Sequence, residues 1–378
     1  METAYLKSPE FWQSDECHVM VNDRDSGAVV QSEMLSRWCV DRAQLRGHLL
    51  FSTSGSTGDS KWVALSRRAI MTSAEAVNEH LQVTPRDHWL LALPTFHVGG
   101  MGVVARAHLA SCGLSLYQKP WNAQQFYKAL DNGTTLTSLV PTQLSDLITA
   151  GLKAPRPLRA MLIGGGPLSN DLYQKAIQLG WPIIETYGMT ESSSQVATAS
   201  VSDRRLKVLS CWHTRIESGG LLSIKGGPLL SAYLHINNGN IIHTPALNKG
   251  WFRTSDRVDI TNGYLTVNGR SDRCAKVLGE LVDLAGIESS LVMLLGSVEV
   301  VVIAIPDQRR GSRLVAVLEG NVRVLAAKIA LDEYNQTCSP VARIVSTSSV
   351  DKFPRTALGK VSYTKLIDFF IQDEKLVE

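Results

Sequence analysis

From about residue 46 the chain alternates short apolar runs with segments of helical period, and no other feature restricts its fold as much. HLLFSTS, HWLLALP, LTSLVP, RAMLIGGG and WPIIETYG read as strands that end in polar or glycine turns. Between them AIMTSAEAVNEHL, NAQQFYKAL, PTQLSDLITAG and NDLYQKAIQLG read as helices. This change of period predicts an α/β fold around a largely parallel sheet, with ligands at the carboxyl ends of the strands. From 220 to 268 the texture shifts to short strands and turns, GGLLSIKGG, GNIIHT, GWFRTSD and NGYLTVNG, which predicts a β-rich subdomain. Beyond the polar junction Gly269-Arg270-Ser271-Asp272 the βα alternation resumes in a compact segment. The expected division is a large domain over 1–269 and a small α+β domain over 270–378.

With 378 residues, 44% of them hydrophobic, such a chain can fill its core unaided. Its 38 basic and 35 acidic residues leave a formal charge of +3 and form no runs, so no track for nucleic acid is expected. The first residues, METAYLKSPEFWQSDE, lack an apolar leader segment. The longest apolar run, VVVIAI at 300–305, is far too short to span a bilayer. Six isolated cysteines, without a C-x-x-C pair, read as reduced structural thiols. A cytoplasmic protein without a membrane span is expected.

FSTSGSTGDSK at 51–61 places hydroxyls, two glycines and Lys61 in one short polar stretch. Glycines admit backbone N–H groups close to an anion, hydroxyls add donors, and the lysine adds charge, so the stretch suits phosphate. It is not a Walker A loop: Ser60 stands where the second glycine is needed, and Trp62 follows the lysine. A plain solvated turn between two strands satisfies the same residues. Five further segments close the apolar runs: LPTFHVGG at 93–100, IGGGP at 163–167, YGMTESSSQ at 187–195, RTSD at 253–256 and PRTALGK at 354–360. Each alone has an ordinary reading. His97 can be structural, Gly164 to Gly166 a strand exit, Thr190-Glu191 a helix cap, Asp256 a turn acid and Lys360 a solvated lysine.

In order and spacing the six segments resemble the adenylate-forming superfamily of acyl-CoA synthetases, nonribosomal peptide adenylation domains and luciferases, from about residue 46 to the end. FSTSGSTGDSK looks like its phosphate loop, YGMTESS its nucleotide motif, RTSD its ribose-binding aspartate, GRSDRCAKVLGELV its hinge and PRTALGKVSY the segment of its adenylation lysine. LPTFHVGGMGVVAR, LIGGGPLS and YGMTESSSQ look most like the o-succinylbenzoyl-CoA synthetases of menaquinone biosynthesis. The family usually carries a much longer stretch before the loop than the roughly fifty residues here, so a shortened N-terminal lobe is expected.

The resemblance implies a reaction of ATP, a carboxylate and CoA that gives acyl-CoA, AMP and pyrophosphate, with Mg²⁺. It implies that Ser54, Gly55, Ser56, Thr57, Gly58 and Lys61 hold the β and γ phosphates, that Thr190 contacts the α phosphate and that Glu191 helps place Mg²⁺. Adenine would lie against Gly164, Gly165, Gly166 and Pro167 and the ring of Tyr187, with Gly188 beside it. Asp256 would take the ribose hydroxyls and Arg270 the ribose or phosphate. Lys360, on a C-terminal domain that turns about Asp272, would bridge the attacking carboxylate and the α phosphate. His97 resembles an aromatic gate at an acyl pocket that Arg106, Gly188 and Ser194 would share, and a homodimer is compatible with the family.

Arg106 is the one cationic side chain of LPTFHVGGMGVVAR, and in the resembling ligases an arginine at the corresponding place lies by the second carboxylate of the substrate. A continuous helix from His97 would turn Arg106 away, and the glycines at 99, 100 and 102 argue against that helix. Two rival readings stand beside the ligase: an adenylation enzyme that loads a carrier protein or activates another aryl or fatty acid, and a nucleotide-binding protein without turnover.

Overall fold

The computed structural model describes residues 3–22, 26–40, 42–54, 60–130, 133–237, 240–271, 273–296, 298–307, 309–320, 324–356 and 359–374. It divides into two compact units. The first comprises residues 1–215, 223–253 and 260–266, the second 216–222, 254–259 and 267–378.

The α/β expectation holds in the first unit. Strands His88–Leu91, Gly113–Leu116, Leu136–Leu139, Ala160–Ile163 and Ile183–Met189 lie side by side and parallel, in the order 113–116, 88–91, 136–139, 160–163, 183–189. Antiparallel strands Ser194–Thr198 and Leu206–Val208 continue the sheet. Helices Ala123–Leu130, Pro141–Thr149 and Asn170–Gln178 cover it through Phe126, Leu130, Leu144, Leu147 and Ala176, which pack on Leu90, Leu139, Met161 and Ile163. These apolar residues recur at helical spacing and set the buried stripe of each helix.

HLLFSTS departs from the expectation, because it forms a strand of another sheet. His48–Ser54 pairs antiparallel with Ser60–Ser66, His48 facing Ser66 and Ser54 facing Ser60. Only residues 55–59 separate the two strands, whereas a parallel crossover needs a dozen or more. Strand His18–Met20 adds to one edge in parallel, and the hairpin Ala232–Asn237 and Asn240–Pro245 adds to the other. The N-terminal residues are built into this unit: Leu6, Phe11 and Trp12 are buried, and Trp12 donates its indole N–H to the Leu6 carbonyl at 3.1 Å.

A second departure is helix Val98–Leu109, which runs through all three glycines. Their cost in helix propensity is offset by close packing. A Cβ on Gly100 would come within 2.2 Å of the Pro94 carbonyl oxygen, and one on Gly102 within 3.2 Å of the Arg106 guanidinium. At both positions the space of a side chain is already taken.

In the second unit VVVIAI is a strand buried on both faces, as its unbroken apolar run requires. Val300–Asp307, Gly311–Glu319 and Ile344–Val350 form one sheet. Val300 and Val302 pack with helices Leu284–Leu295 and Val324–Thr337, while Val301, Ile303 and Ile305 pack with Phe353 and with Leu366 of helix Tyr363–Glu374. No described helix is long and apolar enough to cross a membrane.

Candidate functional site

The strand Ile183–Met189 ends in a tight turn. Its register shifts at Tyr187/Gly188, so that Gly188 faces Gln195, and the chain then makes a single turn over Thr190–Ser192. Gly188 has no space for a side chain: a Cβ would lie 1.6 Å from the Ser194 carbonyl oxygen. Ser193 and Ser194 have φ of 52° and 112°, conformations that residues with a side chain adopt at a cost. Hydroxyls hold the turn. Ser192 Oγ accepts from the Met189 N–H at 3.1 Å, and Ser193 Oγ donates to the Pro228 carbonyl at 2.7 Å.

This turn aims Glu191 at Lys61. The ammonium lies 3.9 Å from Glu191 Oε1, both side chains mostly buried, and 3.4 Å above the centre of the Tyr233 ring. Tyr233 donates its hydroxyl to the same Oε1 at 3.0 Å. Burial pulls the Lys61 pKa down, and the Glu191 charge opposes that pull. The Tyr233 phenol is pushed up by its burial and by Glu191, so it stays a donor. Thr53 Oγ donates to the Lys61 carbonyl at 3.2 Å. Two strands and one turn thus bring a cation and a carboxylate to the start of the strand Ser60–Ser66.

A second pairing is Arg106 with Ser194, Nη2 donating to Oγ at 3.3 Å. Arg106 is 1% exposed and lies 5.8 Å from the Trp89 ring centre. Its Nε has no hydrogen-bond partner, and burial pulls its pKa down to about 10. Among the described residues no carboxylate pairs with it. The expectation that a continuous helix would turn Arg106 away does not hold: the helix forms and Arg106 is buried. His97 takes the cap position of that helix, with φ −114° and ψ 143°, its ring against Phe96 at 4.6 Å between centres.

Gly164, Gly165, Gly166 and Pro167 leave the strand Ala160–Ile163 at its carboxyl end, one strand away from Tyr187, as the sheet order requires. Ser54 closes its strand. Gly55, Ser56, Thr57, Gly58 and Asp272 lie outside the described residues. In the second unit Asp256, 4% exposed, pairs with Arg270 at 3.0 Å. Lys360 is exposed on a turn where its carbonyl accepts the Thr356 N–H at 2.8 Å.

Tyr233 is the participant that the motifs did not indicate. It belongs to Ala232–Asn237, whose pairing with Ser60–Ser66 spans some 170 residues of sequence. A lone tyrosine in a short alternating strand carries no local mark of that neighbour.

The family of AMP-binding enzymes matches residues 48–217. The chain is 30% identical to the 2-succinylbenzoate–CoA ligase of Enterococcus faecalis over 332 residues, 82% of this chain and 67% of that one. It is also 30% identical to the probable 2-succinylbenzoate–CoA ligase of Mycobacterium tuberculosis over 343 residues, 85% of this chain and 84% of the relative. Among solved structures it resembles the o-succinylbenzoate CoA synthetase (MenE) of Bacillus subtilis in complex with the acyl-adenylate intermediate OSB-AMP. That match has 26% identity and a TM-score of 0.72, over 84% of this chain and 68% of that one. The same Bacillus protein in complex with ATP and magnesium ion matches at 25% identity and TM-score 0.72, over 85% and 69%. At 30% identity over most of its length to these ligases, the chain belongs to the AMP-binding enzymes and, within them, to the family of acid–CoA ligases.

Proposed function

We propose that the chain adenylates o-succinylbenzoate with ATP and passes the acyl group to CoA, with release of AMP and pyrophosphate, as a cytoplasmic step of menaquinone biosynthesis. The observation that carries the choice of acid is Arg106. A buried guanidinium with an unpartnered nitrogen is costly until an anion completes it. o-Succinylbenzoate has two carboxylates and only one is activated, so the other can supply that anion, directly or through water. His97, Gly188 and Ser194 would line the same pocket.

The chemistry follows from charge. Two anions, the carboxylate and the triphosphate, must meet, and the groups that meet them should stabilise the transition state electrostatically. Lys61 and the hydroxyls and glycines of 54–58 would hold the β and γ phosphates, Thr190 the α phosphate, and Lys360 both reacting groups. Tyr187 and Gly164 to Pro167 would seat adenine, Asp256 and Arg270 the ribose. The carboxylate oxygen would attack the α phosphorus as its bond to pyrophosphate breaks, which gives a mixed anhydride with AMP; the CoA thiol would then attack the acyl carbon with loss of AMP. Glu191 fits Mg²⁺, since a single carboxylate suits an ion that arrives on phosphate oxygens with its own waters. Among the described residues no cluster of three or more His, Cys, Asp or Glu side chains offers a cage for a resident metal. When bound, the ion neutralises charge on the phosphates.

The test is Arg106→Met assayed with o-succinylbenzoate and with a monocarboxylic aryl analogue. The KM for the diacid should rise roughly tenfold or more, as loss of a charge-assisted bond gives, while the KM for ATP stays put. If the monoacid suffers equally, or if wild type prefers monoacids, the assignment of the acid is wrong.

A further inference from the structure

Lys61 and Glu191 carry opposite charges in a partly buried place, yet they do not form a close ion pair. At 3.9 Å they stand at the outer edge of such contacts. Tyr233 touches both of them. Its ring face lies under the Lys61 ammonium at 3.4 Å, close for a cation over an aromatic face. Its hydroxyl donates to Glu191 Oε1 at 3.0 Å. One side chain thus answers both charges, the cation with its π face and the anion with its O–H.

The backbone fixes this arrangement. Tyr233 pairs with Val63 and His235 with Lys61 on adjacent antiparallel strands, so the Tyr233 ring reaches Lys61 diagonally. Glu191 is fixed independently, its carbonyl accepting the Leu230 N–H at 2.9 Å just before the same strand. His235 lies on the Tyr233 side of its strand, ring centres 6.3 Å apart.

We infer that Tyr233 is a positioning residue that keeps Lys61 and Glu191 from collapsing onto each other, so that the ammonium stays presented to phosphate and the carboxylate to Mg²⁺. The inference rests on the nucleotide reading of Lys61 and Glu191 given above. A collapsed pair would have to be broken for each ATP bound. The Tyr233 arrangement exchanges weak interactions for strong ones when the nucleotide and its ion arrive, and the ordering cost is met in advance.

The test separates the two halves of the side chain. Tyr233→Phe keeps the ring and deletes the hydroxyl, so the Mg²⁺ concentration for half-maximal rate should rise about three- to tenfold, with a smaller change in the KM for ATP. Tyr233→Leu removes the ring as well and should raise the KM for ATP by a similar factor. The KM for the carboxylate should not move in either variant. In a Glu191→Gln background Tyr233→Phe should add little, because its target is already gone. A merely structural tyrosine would instead lower the melting temperature and kcat, leave the Mg²⁺ profile in place and add fully to Glu191→Gln; that result overturns the inference. If Lys61→Ala and Glu191→Gln themselves leave the ATP and Mg²⁺ profiles at wild type, the nucleotide reading fails and the inference with it. If they shift those profiles and Tyr233→Phe does not, only the positioning role fails.

Discussion

At the scale of single residues, Gly102 shows how a helix can spend stability on a site. A Cβ there would meet Arg106 Nη2 at 3.2 Å and the Ser194 Cβ at 3.6 Å, so the missing side chain is the space that the guanidinium occupies. Gly102→Ala should therefore separate stability from recognition. Alanine favours the helix by up to about 1 kcal/mol, so the melting temperature should stay or rise. The displaced guanidinium should raise the KM for the diacid severalfold without affecting ATP; a variant with unchanged KM for the diacid would show that Arg106 is not held in place by this contact. The sequence singles out Arg106 as the one cation of its stretch, but the glycines around it do not break the helix. Propensity alone gives Gly99, Gly100 and Gly102 as helix breakers. That Gly100 abuts the Pro94 carbonyl depends on how the turn before the helix folds back, which helix propensity does not register.

At the scale of elements, the parallel strands and their helices were legible because each carries its own period. The partner of a strand was not: HLLFSTS has the same texture in a hairpin as in a βαβ unit. Side-chain locks that join elements were equally hidden, and Asp87 makes one of them. Its carboxylate accepts from the Thr84 N–H at 2.8 Å, Thr135 Oγ at 2.8 Å and Arg159 at 2.7 and 2.9 Å. Arg159 also donates to the Leu81 carbonyl at 2.9 Å, at the end of helix Arg67–Leu81. Burial raises the Asp87 carboxyl, but the Arg159, Thr84 and Thr135 hydrogen bonds outweigh it and hold the pKa down at about 2. A depressed carboxyl stabilises the fold above its unfolded value near 3.9, and the effect is lost as pH falls through about 2. The shift corresponds to about 2 to 3 kcal/mol at neutral pH. Asp87→Asn should thus unfold at lower denaturant than wild type at pH 7, and the gap should narrow between about pH 4 and pH 2. A gap independent of pH would mean that shape, not charge, holds this junction.

At the scale of the whole molecule, the residues proposed for one reaction belong to two compact units. Lys61, Thr190 and Glu191 are in the first, Lys360 in the second. The second has its own core on both faces of its sheet, so it has the makings of a body that moves as one. The turn of Lys360 is fastened to that body. Arg355 donates to the Gly359 carbonyl at 3.0 Å and pairs with Glu299 and with Glu319, the latter at 2.9 Å, while Glu319 also takes the Phe353 N–H at 2.6 Å. On the proposed mechanism, a domain rotation about Asp272 would deliver this lysine for adenylation and withdraw it before the thiol attacks. Lys360→Ala should abolish ATP–pyrophosphate exchange yet leave thioester formation from preformed acyl-AMP largely intact. Asp272→Pro, which fixes φ, should do the reverse: exchange persists and CoA transfer is lost. Equal loss of both half-reactions in Lys360→Ala would mean that the lysine serves one fixed site, and normal CoA transfer in Asp272→Pro would move the hinge elsewhere in the chain.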